Sequence, residues 1–168
     1  DSTMTPTRSP RMLLALILLV YLALALGYGW INPLFEAPDE HMHYFTAYFI
    51  AREGRLPTTR DAGLMAQEAA QPPLYYALAA LIIRVVPDSG VAGPLWLNPR
   101  GDAADPRGES LAVPPINVNV FIQGPETARP WHGYALAAHL IRVLSTLFGL
   151  GTLLCIYGAG RTVWPHWP

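Results

Sequence analysis

From Met12 to Trp30 the chain runs 19 residues without a single charge, in the order Met-Leu-Leu-Ala-Leu-Ile-Leu-Leu-Val-Tyr-Leu-Ala-Leu-Ala-Leu-Gly-Tyr-Gly-Trp. At a rise of about 1.5 Å per residue, a helix of this length reaches across a hydrocarbon layer of roughly 30 Å. Arg8 and Arg11 stand just before it. Tyr28 and Trp30 close it, where amphipathic rings favour the membrane interface. A buried helix of a soluble protein passes the same test. A cleaved signal peptide is a second rival, with Arg8 and Arg11 as its basic region and Ala23-Leu24-Ala25 as its small-residue cleavage site. The apolar run is long for a signal peptide, which favours a retained anchor.

Composition points the same way. Hydrophobic residues make up 52% of the 168 and charged residues only 14%, where a soluble domain carries about 25% charged. Eleven basic residues, all arginine, face twelve acids. That balance gives no electrostatic footprint for nucleic acid. The single Cys155 excludes a disulfide framework.

A second uncharged stretch, Val143 to Gly160, lies between Arg142 and Arg161, and Tyr134–Ile141 extends it upstream. Gly149, Gly151, Gly158 and Gly160 would be costly in an exposed soluble helix, but in a membrane they permit close helix packing. Leu74 to Ile83 is too short to span and predicts an interfacial or re-entrant helix over 72–86, opened by Pro72-Pro73 and stopped by Pro87. A short third span ending at Val86 is the alternative. Another interfacial helix is expected over 38–53. Asp39 and Glu40 stand in its first turn, Gly54 sits at its cap, and Tyr44, Phe45, Tyr48, Phe49 and Arg52 form an aromatic and cationic surface. Residues 87–130 are rich in Pro, Gly and Asn and read as irregular, with one short strand around Val118–Ile122.

The arginines before the first span place the N-terminus in the cytoplasm. The expected fold is therefore an all-α membrane protein. A tail at 1–11 leads into a transmembrane helix at 12–31, an exoplasmic region at 32–133 and a second transmembrane helix at 134–163. Residues 164–168 return to the cytoplasmic side. Eleven of the twelve acids fall in the exported region.

Ionisable groups concentrate at Glu36-Ala-Pro-Asp39-Glu40-His41-Met-His43, just past the first span. Asp39 and His43, four apart, share a face of a helix that starts at Pro38, and Glu36 can fold back over the helix start. A carboxylate at a helix N-terminus is held ionised. It can take a proton from an attacking hydroxyl or amine, or hold a divalent cation that neutralises a phosphate leaving group. Acids in a first turn are also common in helices without any catalytic task, and the spacing matches no specific metal site.

The first span, Pro38-Asp39-Glu40 opening a helix that ends at Gly54, and Gln71-Pro72-Pro73-Leu74-Tyr75-Tyr76 together resemble the N-terminal part of a GT-C fold membrane glycosyltransferase. The likeness is to the bacterial superfamily of protein O-mannosyltransferases and the aminoarabinose transferase. Asn117-Val-Asn119-Val-Phe121-Ile, Pro130-Trp131-His-Gly133 and Leu140-Ile-Arg142-Val-Leu144-Ser145 are similar to uncharacterised glycosyltransferase-like proteins. The resemblance implies an inverting transfer of a sugar from a polyprenyl-phosphate donor to an acceptor, outside a bacterial inner membrane. It implies Asp39 as the general base or acceptor-orienting carboxylate and Glu40 as the secondary one. Glu36, His43, Glu68 and Tyr75 become candidates for substrate binding, with a divalent cation as the one candidate cofactor.

Such enzymes carry many more spans than two. The chain lacks an initial Met and stops just after a span, so it reads as an N-terminal fragment, inactive alone, whose partners are lipids and the remaining helices of its parent. Two other classes fit the same residues: a small non-enzymatic membrane protein pairing through its Gly-rich helix, and a secreted or anchored binding domain behind a signal peptide.

Overall fold

The computed structural model describes residues 10–61, 63–90, 119 and 121–164. Among them every regular element is helical: α1 (Pro10–Ile31), α2 (Glu40–Glu53), α3 (Pro73–Val85) and α4 (Gly133–Val163), with 3₁₀ turns at Thr59–Asp61, Gly63–Ala70 and Pro125–Thr127. Most of the irregular stretch expected at 87–130 lies outside the described residues; of the short strand expected around 118–122, residues 119, 121 and 122 are described and form no strand element.

The chain divides into two compact units, one of residues 1–31 with 142–168 and one of residues 32–141. In the first, the most apolar 18-residue stretch of α1 has a mean hydropathy of 2.4, and none of it is buried. Within the 31 residues of α4 the most apolar 18-residue stretch reaches 1.8. Both are long and apolar enough to cross a membrane. Leu13, Leu16, Leu19, Leu24, Leu147 and Ile156 all lie exposed along them, which a folded surface in water would not favour over so long a stretch. The two helices touch at defined points. Tyr21 donates its hydroxyl proton to the Thr146 carbonyl at 3.0 Å, and the Arg142 guanidinium donates to the Gly29 carbonyl at 2.9 Å. Residues rise along α1 as they fall along α4, so the pairing is antiparallel.

The second unit has a core. α2 contributes Tyr44, Thr46 and Ala47, and α3 contributes Tyr76, Ala79, Ala80 and Ile83. The alanines allow a close approach of the two backbones: Ala47 is 1% exposed and Ala79 is fully buried. Gly54 ends α2 in the left-handed region and donates its N–H to the Ile50 carbonyl, a conformation in which glycine has no Cβ penalty. Pro73 opens α3 where its missing N–H is no loss. Arg84 Nε reaches the Ala51 carbonyl at 3.0 Å and ties the ends of α2 and α3 together.

Two expectations are corrected. α2 begins at Glu40, because Asp39 takes a left-handed conformation as the N-cap. Tyr44, read as part of a membrane-facing surface, is instead 2% exposed. Its ring meets Phe35 edge-on at 5.6 Å, and its hydroxyl donates to the Ser89 carbonyl. Its apolar ring is worth more inside this aromatic cluster than at a surface. Burial pushes its hydroxyl pKa well above the ordinary phenol value.

Candidate active site

The loop from Asn32 to Asp39 is built around Phe35. This residue is 3% exposed and holds φ +65°, an uncommon conformation for a bulky side chain. Phe35 stacks on Tyr134 at 6.3 Å and meets Phe121 edge-on at 6.4 Å. Its main-chain N–H donates to Glu40 Oε2 at 2.8 Å. Ring packing and this charge-assisted bond together maintain the strained turn.

The three acids of the motif consequently have different surroundings. Glu40 is committed to the Phe35 amide. Glu36, which the sequence leaves free to fold back over the start of α2, bonds to a distant segment. Its Oε1 accepts the Phe121 N–H at 2.9 Å, 85 residues along the chain, while Gln123 Nε2 donates to the Leu34 carbonyl at 3.0 Å. An unpaired amide beside a buried aromatic is costly, and Glu36 supplies its acceptor. Asp39 stands apart. It has φ +58° and makes no side-chain capping bond. Among the described residues its carboxylate has no hydrogen-bond or ion-pair partner, while its main-chain carbonyl accepts the His43 N–H at 3.0 Å.

One turn further on, α2 presents His43 to two residues from elsewhere in the unit. His43 Nδ1 lies 2.8 Å from the Tyr76 hydroxyl and 3.2 Å from Glu68 Oε2. Tyr76 in turn donates to Glu68 Oε2 at 2.7 Å. Glu68 and Tyr76 are both 3% exposed. Burial, with Glu68 second, pushes the Tyr76 pKa well above the ordinary phenol value. Tyr75 stands edge-on to His43 at 6.4 Å and to Tyr76 at 5.4 Å. The structure therefore brings His43, Glu68 and Tyr75 to one place, and adds Tyr76.

Tyr76 was not singled out by sequence, although a signal was present. Tyr76, Ala79, Ala80 and Ile83 recur at helical spacing and define the buried face of α3, which puts the Tyr76 hydroxyl inside and Tyr75 beside it. His41 is the other polar group enclosed here. Its Nδ1 is buried without a hydrogen-bond partner among the described residues, and its ring meets Phe121 edge-on at 5.2 Å. Burial lowers its pKa, against the pull of Asp39 and Glu40, and His43 lowers it further. Among the described residues no group of three or more His, Cys, Asp or Glu is assembled to hold a metal ion.

A recess of about 760 Å³ lies between the ends of α2 and α3 and the start of α4, lined by Tyr48, Arg52, Arg84, Glu126, His132 and Tyr134 among others.

No family model, curated protein or solved structure matches this chain.

Proposed function

We propose that the chain is part of an integral membrane glycosyltransferase that moves a sugar from a polyprenyl-phosphate donor to an acceptor at the outer face of a bacterial inner membrane. Asp39 carries this reading. It is a carboxylate without a partner among the described residues, held in a left-handed conformation at the start of α2. Strain kept at a polar residue next to a locked neighbour is characteristic of functional positions. Asp39 receives the acceptor hydroxyl, as general base or as the carboxylate that orients it. Glu40 is the secondary carboxylate and acts by fixing the loop.

The membrane part of the reading is supported by the two apolar helices and by α3. Leu74, Leu81 and Val85 are 67%, 56% and 77% exposed on the side of α3 opposite its core face, as in a helix lying at a lipid interface. Gly151, Gly158 and Gly160 face open space among the described residues, which suits α4 to packing against further helices of a parent chain.

The decisive experiment is Asp39→Asn in the full-length parent. Asn occupies the left-handed region at least as readily as Asp, so the loop is preserved. The expected result is a loss of transfer of about 100-fold or more, and unchanged transfer removes Asp39 from the chemistry. Labelling a cysteine placed at Ser110, in a Cys155→Ser background, tests the topology. Labelling from outside intact cells is expected, and a cytoplasmic label requires a third span.

A further inference from the structure

Glu68, Tyr76 and His43 contain a constraint on a proton. An ionised Glu68 only accepts hydrogen bonds, and the Tyr76 hydroxyl has one proton to give. Tyr76 gives it to Glu68 Oε2 at 2.7 Å. His43 Nδ1, at 2.8 Å from the Tyr76 oxygen and 3.2 Å from Glu68 Oε2, must then be the protonated nitrogen, since both atoms facing it are acceptors. The neutral ring therefore has its lone pair on Nε2. Glu68 and Tyr76 lie in the core, while the His43 side chain is 39% exposed. A buried carboxylate and phenol thus set the tautomer of an imidazole that opens towards solvent, the arrangement by which a carboxylate makes a histidine a directed base.

The geometry points to His43 Nε2 as the proton acceptor of the transfer reaction, with Glu68 and Tyr76 as its positioning residues. This rests on the glycosyltransferase reading and assigns Asp39 the orienting role. As the acceptor oxygen bonds to the anomeric carbon, its proton passes to Nε2. The bond from that carbon to the phosphate oxygen breaks, and its electron pair leaves with the lipid phosphate. The imidazolium so formed has the Glu68 carboxylate as counter-charge and releases its proton to water from the exposed side. The other groups near the ring are Tyr75 on α3, edge-on at 6.4 Å, and His41 on α2.

Two measurements on the full-length chain test this. In ¹⁵N spectra of histidine-labelled protein, with the His43 signal identified by its loss in His43→Gln, neutral His43 is expected as the Nδ1–H tautomer. Tyr76→Phe leaves Glu68 in place and should keep that tautomer, whereas Glu68→Gln should raise the Nε2–H population severalfold. In transfer assays, His43→Ala is expected to lower kcat about 100-fold, with KM for the lipid-linked donor within about 3-fold, and free imidazole should restore about 10-fold. A wild-type Nε2–H tautomer, undiminished kcat in His43→Ala, or no restoration by imidazole overturns the assignment. If Asp39→Asn spares transfer and His43→Ala abolishes it, the role of Asp39 falls and that of His43 stands. The reverse pattern removes His43.

Discussion

The Phe35 amide and the Glu40 carboxylate, five residues apart, close a 2.8 Å hydrogen bond that separates the roles of two adjacent acids. Glu40 stabilises the left-handed turn at Phe35, and Asp39 is left as the carboxylate without a hydrogen-bond or ion-pair partner among the described residues. Glu40→Ala removes the acceptor of a nearly buried N–H, which costs about 1–3 kcal/mol. Glu40→Gln retains a carbonyl acceptor and should lose less than half as much. Asp39→Asn should change stability by less than about 0.5 kcal/mol. Thermal unfolding of the three variants checks this order, and equal losses for Glu40→Ala and Asp39→Asn would show that the division is wrong.

A second prediction concerns the contact between α2 and α3. Ala79 is fully buried where the two helices approach, and a larger side chain has no room without moving a helix. Ala79→Leu should destabilise by about 1–3 kcal/mol, while Ala77→Leu, on the exposed side of α3, should be close to neutral. Denaturation of both variants provides the comparison, and a neutral Ala79→Leu would contradict the packing.

The antiparallel helix pair depends on a notch at Gly149. A Cβ there would fall on the Tyr21 hydroxyl, which donates to the Thr146 carbonyl at 3.0 Å. Gly149→Ala must displace that hydroxyl and lose the bond, as Tyr21→Phe does directly, each at about 0.5–1.5 kcal/mol. Because both changes remove one interaction, the double variant should lose little more than either alone. Strict additivity in the cycle would show that Gly149 and Tyr21 act independently.

The elements that sequence reveals and those it conceals differ in physical origin. α1, α3 and α4 follow from runs of apolar residues bounded by arginine or proline, a local signal that tertiary packing does not override. The start of α2 does not follow in this way, because the left-handed Asp39 depends on Phe35, whose conformation depends on Phe121 and Tyr134 far along the chain. Glu36 likewise found its partner 85 residues away, and no local spacing encodes such a bond. The grouping of His43 with Glu68 lies between these cases. The residues were recognisable as candidates, but their meeting requires the 3₁₀ turn at Gly63–Ala70 to lie over α2, and Tyr76 becomes visible only through the inward face of α3.

The last prediction uses His41, whose Nδ1 is buried without a partner among the described residues. Burial is the largest influence on it and lowers its pKa below the ordinary 6.5, Asp39 and Glu40 oppose that shift, and His43 adds to it. Between the folded value and 6.5 the unfolded chain therefore binds more protons than the folded one, and stability falls as pH falls. The contribution is complete above pH 6.5 and is lost progressively below it, as protons bind the unfolded chain and then the folded one. His41→Phe removes the titrating group and keeps a ring against Phe121. The variant should be at least as stable as the wild type at pH 8, since it also removes the unpartnered nitrogen, and its advantage should grow as pH is lowered to 5. Thermal unfolding across that range measures the difference between the two proteins, which cancels the other titrating groups. An advantage that is constant with pH, or that shrinks towards pH 5, would mean that His41 is not held neutral by its surroundings.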